Sequence, residues 1–179
     1  MTGKQPNWGS IVGGFLRSFI TAFAKSSTTQ PRGASSAGSP SPGQRGDSAT
    51  RELTSAEIRS LRLSYEPDPD GDPDPGEIVW TWVPYAENDG RGKDRPVLII
   101  ARIDAQTTAA CYLSTKRHDG FVSVGTGGWD REGRESFLAT ERVLRVTNAG
   151  MRREGHVLDR DRFVTAVAVV AREHGMRGD

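Results

Sequence analysis

The chain has 179 residues, 35% hydrophobic and 26% charged, with 21 glycines and 10 prolines, which fits one modest globular domain with added segments that cannot order themselves. A formal net charge of +1 hides segregation: six Lys and Arg stand against two Asp and Glu over residues 1–53, two against nine over 54–90, and sixteen against twelve over 91–179. The single cysteine, Cys111, excludes an internal disulfide and fits a reducing, cytoplasmic setting.

Taken in order, Trp8, Ile11, Val12, Phe15, Leu16, Phe19, Ile20 and Phe23 follow helical steps of three and four. They predict an amphipathic helical segment within residues 1–25. Arg17 and the short length argue against a membrane span or a signal peptide. Three readings stay open for residues 8–23: docking on the domain or a partner, peripheral contact with a membrane surface, or a poorly ordered stretch with helical tendency. Residues 26–53, rich in Ser, Thr, Gly, Pro and Ala, read as a disordered linker. Residues 54–74 read as a short helix and an acidic spacer. Thr54 and Glu57 form a capping box, with Ile58, Leu61 and Tyr65 as the apolar edge. Asp68, Asp70 and Asp72 have calcium-loop spacing, but Pro73 stands where a turn glycine is needed and Val79 where a bidentate Glu is needed, so no EF-hand is expected.

The globular part spans residues 75–175. Ile78, Trp80 and Trp82 alternate with Val79, Thr81 and Val83 in a strand over Glu77–Val83. Val97–Ala101 is continuously apolar, as in a strand buried on both faces. Between them Tyr85–Asp94 reads as a mobile polar loop that ends on Arg95, which Pro96 biases toward an extended backbone. Further strands are expected at Thr108–Leu113 and Phe121–Val124. Ser136–Val146 reads as one long or two short strands, with Leu138, Leu144 and Val146 on one face. A helix over Asp161–His174 would bury Phe163, Val164, Val167, Val170 and Ala171 and end at Gly175. Several short strands and one terminal helix point to a mainly β fold, a small barrel.

His118, His156 and His174 are far apart and show no metal-ligand spacing, and no cofactor motif is present. What remains is a constellation at strand ends: Arg95, then Ser114, Thr115, Lys116, Arg117, His118 and Asp119. A guanidinium and hydroxyls suit a phosphodiester, where arginine stabilises charge developing on the phosphoryl oxygens. Of the last segment's sixteen cations only Lys93 and Lys116 are lysine, so arginine, with its planar donor fork, dominates. A GC-rich genome explains that bias equally well. A plainer reading pairs Arg95 with Asp94 or Glu87 and makes Ser114 and Thr115 the start of a turn.

The sequences PGEIVWTWVPY, RPVLII and CYLSTK, in that order, resemble the MazF/PemK family of toxin–antitoxin ribonucleases, and the WDREGRESFLATERVLRV stretch is similar to an actinobacterial branch of it. The resemblance implies an SH3-like barrel with a C-terminal helix, a homodimer, an antitoxin protein as partner, and metal-independent cleavage of single-stranded RNA without a cofactor. It places the catalytic arginine at Arg95 and the catalytic hydroxyl at Ser114, or at Thr115 if the register slips by one. The Tyr85–Asp94 loop would gate the RNA. His118 is the candidate for proton transfer because imidazole titrates near neutrality; Asp119 and Glu87 are alternatives. The competing reading is a non-catalytic barrel that binds nucleic acid, DNA included, or a protein.

Overall fold

Alternating and continuous apolar runs build the centre of the molecule. The computed structural model describes residues 39–176. The helical segment expected at residues 8–23 and the first part of the expected linker lie outside them. The elements are β1 (Arg51–Glu52), α1 (Ser55–Arg59), β2 (Glu77–Pro84), β3 (Gly92–Asp104), β4 (Thr107–Ser114), β5 (Val122–Gly125), β6 (Ser136–Leu138), β7 (Leu144–Thr147), β8 (Arg152–Val157) and α2 (Arg160–Glu173), with short 3-10 turns at Gly46–Ser48 and Asn148–Gly150. The sheet order is β1-β7-β4-β3-β2-β8, and β6 branches from β4 and pairs in turn with β5. The fold is therefore mainly β with one C-terminal helix, as expected of the small barrel.

β3 is buried on both faces. Leu98 and Ile100 join Ile78, Cys111, Leu113 and Leu138 under α2. Val97 and Ile99 join Val79, Val83, Ala110, Leu144 and Val146 on the opposite side. This double burial explains the unbroken apolar run. Burial also pushes the Cys111 thiol well above its ordinary range. α2 starts at Asp159, whose side chain accepts from the backbone N–H of Asp161 and Arg162, and the chain turns at Gly175 with φ +61°. It buries Phe163, Ala166, Val167 and Val170, each large side chain contributing about 1.5–3 kcal/mol.

Several expectations are corrected. Ala166, not Val164, faces the core, and Val164 is 55% exposed. The alternation along β2 is formed as expected, with Val79, Thr81 and Val83 buried and Trp80 and Trp82 half-buried on the other face. Leu138 belongs to a different core from Leu144 and Val146. β3 begins at Gly92, so the loop is shorter than Tyr85–Asp94 and Arg95 sits inside the strand, opposite Thr81. Pro96 is tolerated because β3 pairs with β4 only from Val97 onward, so at Pro96 it has one neighbour. β8, RREGHV, has no apolar alternation; a bidentate bond from Arg153 to Glu77 (3.0 and 2.8 Å) fixes it on β2.

The linker expected over 26–53 does not extend that far. The Trp82 N–H donates to the Pro42 carbonyl (2.9 Å) and the Leu53 N–H to that of Val143 (2.8 Å), and β1 pairs with β7. Residues 41–53 thus form a strap across the sheet, held by these backbone bonds, by the buried Thr50 hydroxyl against that of Thr81 (2.8 Å) and by Leu53 in the core. The capping box at α1 is formed as expected.

Candidate functional site

β3 and β4 share a ladder through Ile99↔Ala110, Leu98↔Cys111 and Val97↔Tyr112. Beyond it β4 turns away, and Leu113 and Ser114 pair with Leu138 and Phe137 of β6. The parted strands open a cleft of about 470 Å³. Extending the ladder register two steps past Val97↔Tyr112 puts Arg95 and Ser114 at the same level, one on each strand. Arg95, Ser114, Thr115 and His118 all line this cleft, with Lys93 and Lys116 adding positive charge and Arg134 paired with Asp130. Glu87 is not among its lining residues, and Asp119 lies in an adjoining hollow beside Phe121 and Glu141.

Arg95 does not pair with an acid in its own loop. Asp94 instead accepts from Arg152 at 2.9 Å, and no ion pair to Arg95 occurs among the described residues. Its guanidinium lies 5.2 Å from the centroid of the Tyr112 ring, a contact that orients the fork and leaves its donors for another partner. Ser114 is buried, and its hydroxyl oxygen accepts the Lys116 N–H at 3.0 Å. Its proton stays available to donate. Thr115 is exposed. The His118 ring packs 4.9 Å from Phe121, which in turn meets Tyr112 edge-on at 5.9 Å.

Tyr112 and Trp129 line the cleft without having been named as candidates, and Trp80, read only as a strand position, lines it too. Trp129 is buried and donates to Ser136 Oγ at 3.0 Å. A tryptophan amid glycines and charges was the available signal, since so large a ring is seldom left in solvent. Behind it Arg134 grips Asp130 (2.8 and 3.0 Å) and holds that carboxyl down at about 2.

The Tyr112 phenol is shifted above its ordinary value, first by burial and then by the Glu141 carboxylate that its hydroxyl meets at 3.4 Å. A raised folded-state value means stability is full below about pH 10 and is lost as pH rises through the shifted value. Denaturant titration of wild type and Tyr112→Phe between pH 8 and 11 is expected to show a steeper alkaline loss for wild type. A second hollow of about 490 Å³ near the start of α2 contains none of the four candidates, and the Arg162 guanidinium there donates to the Val124 and Thr126 carbonyls.

The model of the PemK-like, MazF-like toxin of type II toxin–antitoxin systems matches residues 74–172, more than half of the chain. No curated protein matches. Among solved structures, MazF (Form-I) from Deinococcus radiodurans is similar at 16% identity and TM-score 0.46, covering 60% of this chain and 100% of that one. MazE–MazF (Form-II) from the same organism is similar at 16% identity and TM-score 0.44, covering 59% of this chain and 97% of that one. The Form-III MazE–MazF crystal structure gives 16% and 0.43, with coverage of 59% and 98%.

Proposed function

The chain belongs to the PemK-like, MazF-like toxin family of type II toxin–antitoxin systems, and on that premise we propose that it is an endoribonuclease that cuts single-stranded RNA in the cleft between β3 and β4. The observation that carries the proposal is the shared ladder level of Arg95 and Ser114 on two strands that have parted. A phosphodiester bound there meets a guanidinium from one wall and a hydroxyl from the other. In the reaction the neighbouring 2′-oxygen bonds to phosphorus and loses its proton, the bond from phosphorus to the 5′-oxygen breaks, and that oxygen gains a proton. Arg95 stabilises the charge gathering on the non-bridging oxygens. Ser114 orients the phosphate, and is preferred to Thr115 because its oxygen is already held by Lys116. His118, at the cleft wall, is assigned proton transfer. Family membership likewise supports an antitoxin as protein partner and a homodimer as the assembly.

The test is incubation of the purified full chain with mixed-sequence single-stranded RNA in the presence of a chelator. Fragments with cyclic phosphate and 5′-hydroxyl ends are expected. Ser114→Ala is expected to cut about 10²-fold more slowly, and Thr115→Ala within a few-fold of wild type. Intact RNA in every reaction overturns the proposal, and binding without cleavage leaves a non-catalytic module.

A further inference from the structure

The cleft holds a second kind of chemistry. Two side-chain atoms of residues that line it, Trp80 Nε1 and Asp94 Oδ1, are out of solvent contact and have no hydrogen-bond partner among the described residues. Trp80 stands opposite Pro96 and Asp94 opposite Trp82, so the two are diagonal neighbours on one face of the β2–β3 pair. Arg152 lies across both: its guanidinium is 5.7 Å from the Trp80 ring centroid and donates to Asp94 Oδ2 at 2.9 Å, leaving Oδ1 unused.

Buried polar groups are nearly always paired, so an orphaned donor beside an orphaned acceptor calls for an explanation. The indole N–H can only donate and the carboxylate oxygen only accepts. A single partner that meets both would therefore offer an acceptor and a donor side by side. A phosphate offers acceptors alone and is repelled by Asp94. A nucleobase edge offers both. The cations elsewhere in the cleft, Lys93, Arg95 and Lys116, suit the phosphates flanking such a base, which a peptide would lack.

We propose that Trp80 Nε1 and Asp94 Oδ1 form a base-reading subsite that selects one nucleobase of the RNA, with Arg152 as the cap that moves aside to admit it. The inference rests on the ribonuclease reading for its ligand, but not on catalysis. Arg152 is 44% exposed, and exposed ion pairs are weak, so displacing it costs little beside leaving two buried atoms unmet.

The experiment measures binding of four uncleavable 2′-O-methyl pentanucleotides, alike except for the central base, to wild type, Asp94→Asn and Trp80→Phe. Anisotropy reads the affinity ratios, circular dichroism checks folding, and a parallel assay records cleavage of ordinary RNA. Wild type is expected to prefer one base by about tenfold. Asp94→Asn is expected to change which base is preferred, because an amide can donate as well as accept, and Trp80→Phe to flatten the preference. Equal binding of all four by wild type overturns the inference, as does an unchanged ranking in both folded variants. An Asp94-dependent ranking without any RNA cleavage would sustain the subsite and remove the ribonuclease reading. Cleavage with a ranking indifferent to both substitutions would do the reverse.

Discussion

Arg95→Ala is expected to cut RNA about 10²–10³-fold more slowly than wild type while remaining folded, the loss typical of removing one donor aimed at developing charge. The fold should tolerate the change. Arg95 is half-buried, and its only described contact of note is the face of Tyr112, worth about 0.5–1 kcal/mol at such a site. Its register partner Thr81 keeps its own hydroxyl contacts, to Thr50 and to the Gly150 carbonyl. Arg95→Lys should recover only part of the rate, because an ammonium restores charge without the planar fork. If Arg95 and Ser114 act on one phosphate, Arg95→Ala combined with Ser114→Ala should be scarcely slower than Arg95→Ala alone. Initial rates on one RNA, measured beside melting temperatures, test all three statements. Equal rates for wild type and Arg95→Ala at equal stability would remove Arg95 from the mechanism.

The central strands were legible in the sequence because their burial is decided locally. Val79 and Val83 repeat at a period of two, and Val97–Ala101 is apolar throughout, so both patterns survive any tertiary arrangement. Arg95 and Ser114, with Thr115 as the alternative, could be named from motif order and His118 from the titration range of imidazole, and all four line one cleft. The geometry that relates them could not be read, because it depends on where β4 abandons β3 for β6, a choice between partners distant in sequence. β8 was hidden for a similar reason. Its residues have no strand pattern, and it is held by its ladder with β2 and by the bond from Arg153 to Glu77 across 76 positions. Trp80 misled the pattern differently. It alternates correctly with buried valines, yet its ring lies on the cleft side, where the site and not the core determines its exposure.

The strap is the clearest case of structure without a sequence signal, and it yields the second large effect. Gly43→Ala is expected to destabilise the protein by about 2–4 kcal/mol, the range of backbone strain combined with overpacking. Gly43 has φ +77°, a region that side chains rarely adopt, and an added Cβ would lie 2.6 Å from Thr50 Oγ1 and 2.7 Å from the Gly150 carbonyl oxygen. The Gly150 carbonyl is backbone and cannot swing away. The crowding exists because a hydroxyl chain fills this point. The Thr81 hydroxyl donates to Gly150 (2.6 Å), so the Thr50 hydroxyl must be the donor in the 2.8 Å contact between the two threonines. Thr50→Val should cost about 1–2 kcal/mol by leaving Thr81 short of a donor. In a cycle with Thr81→Val the two losses should be less than additive. Urea unfolding of the four cycle members and of Gly43→Ala provides the measurement. A Gly43→Ala midpoint equal to wild type would mean that residues 41–53 are not fixed on β2, and that the linker continues to α1 as its composition predicts.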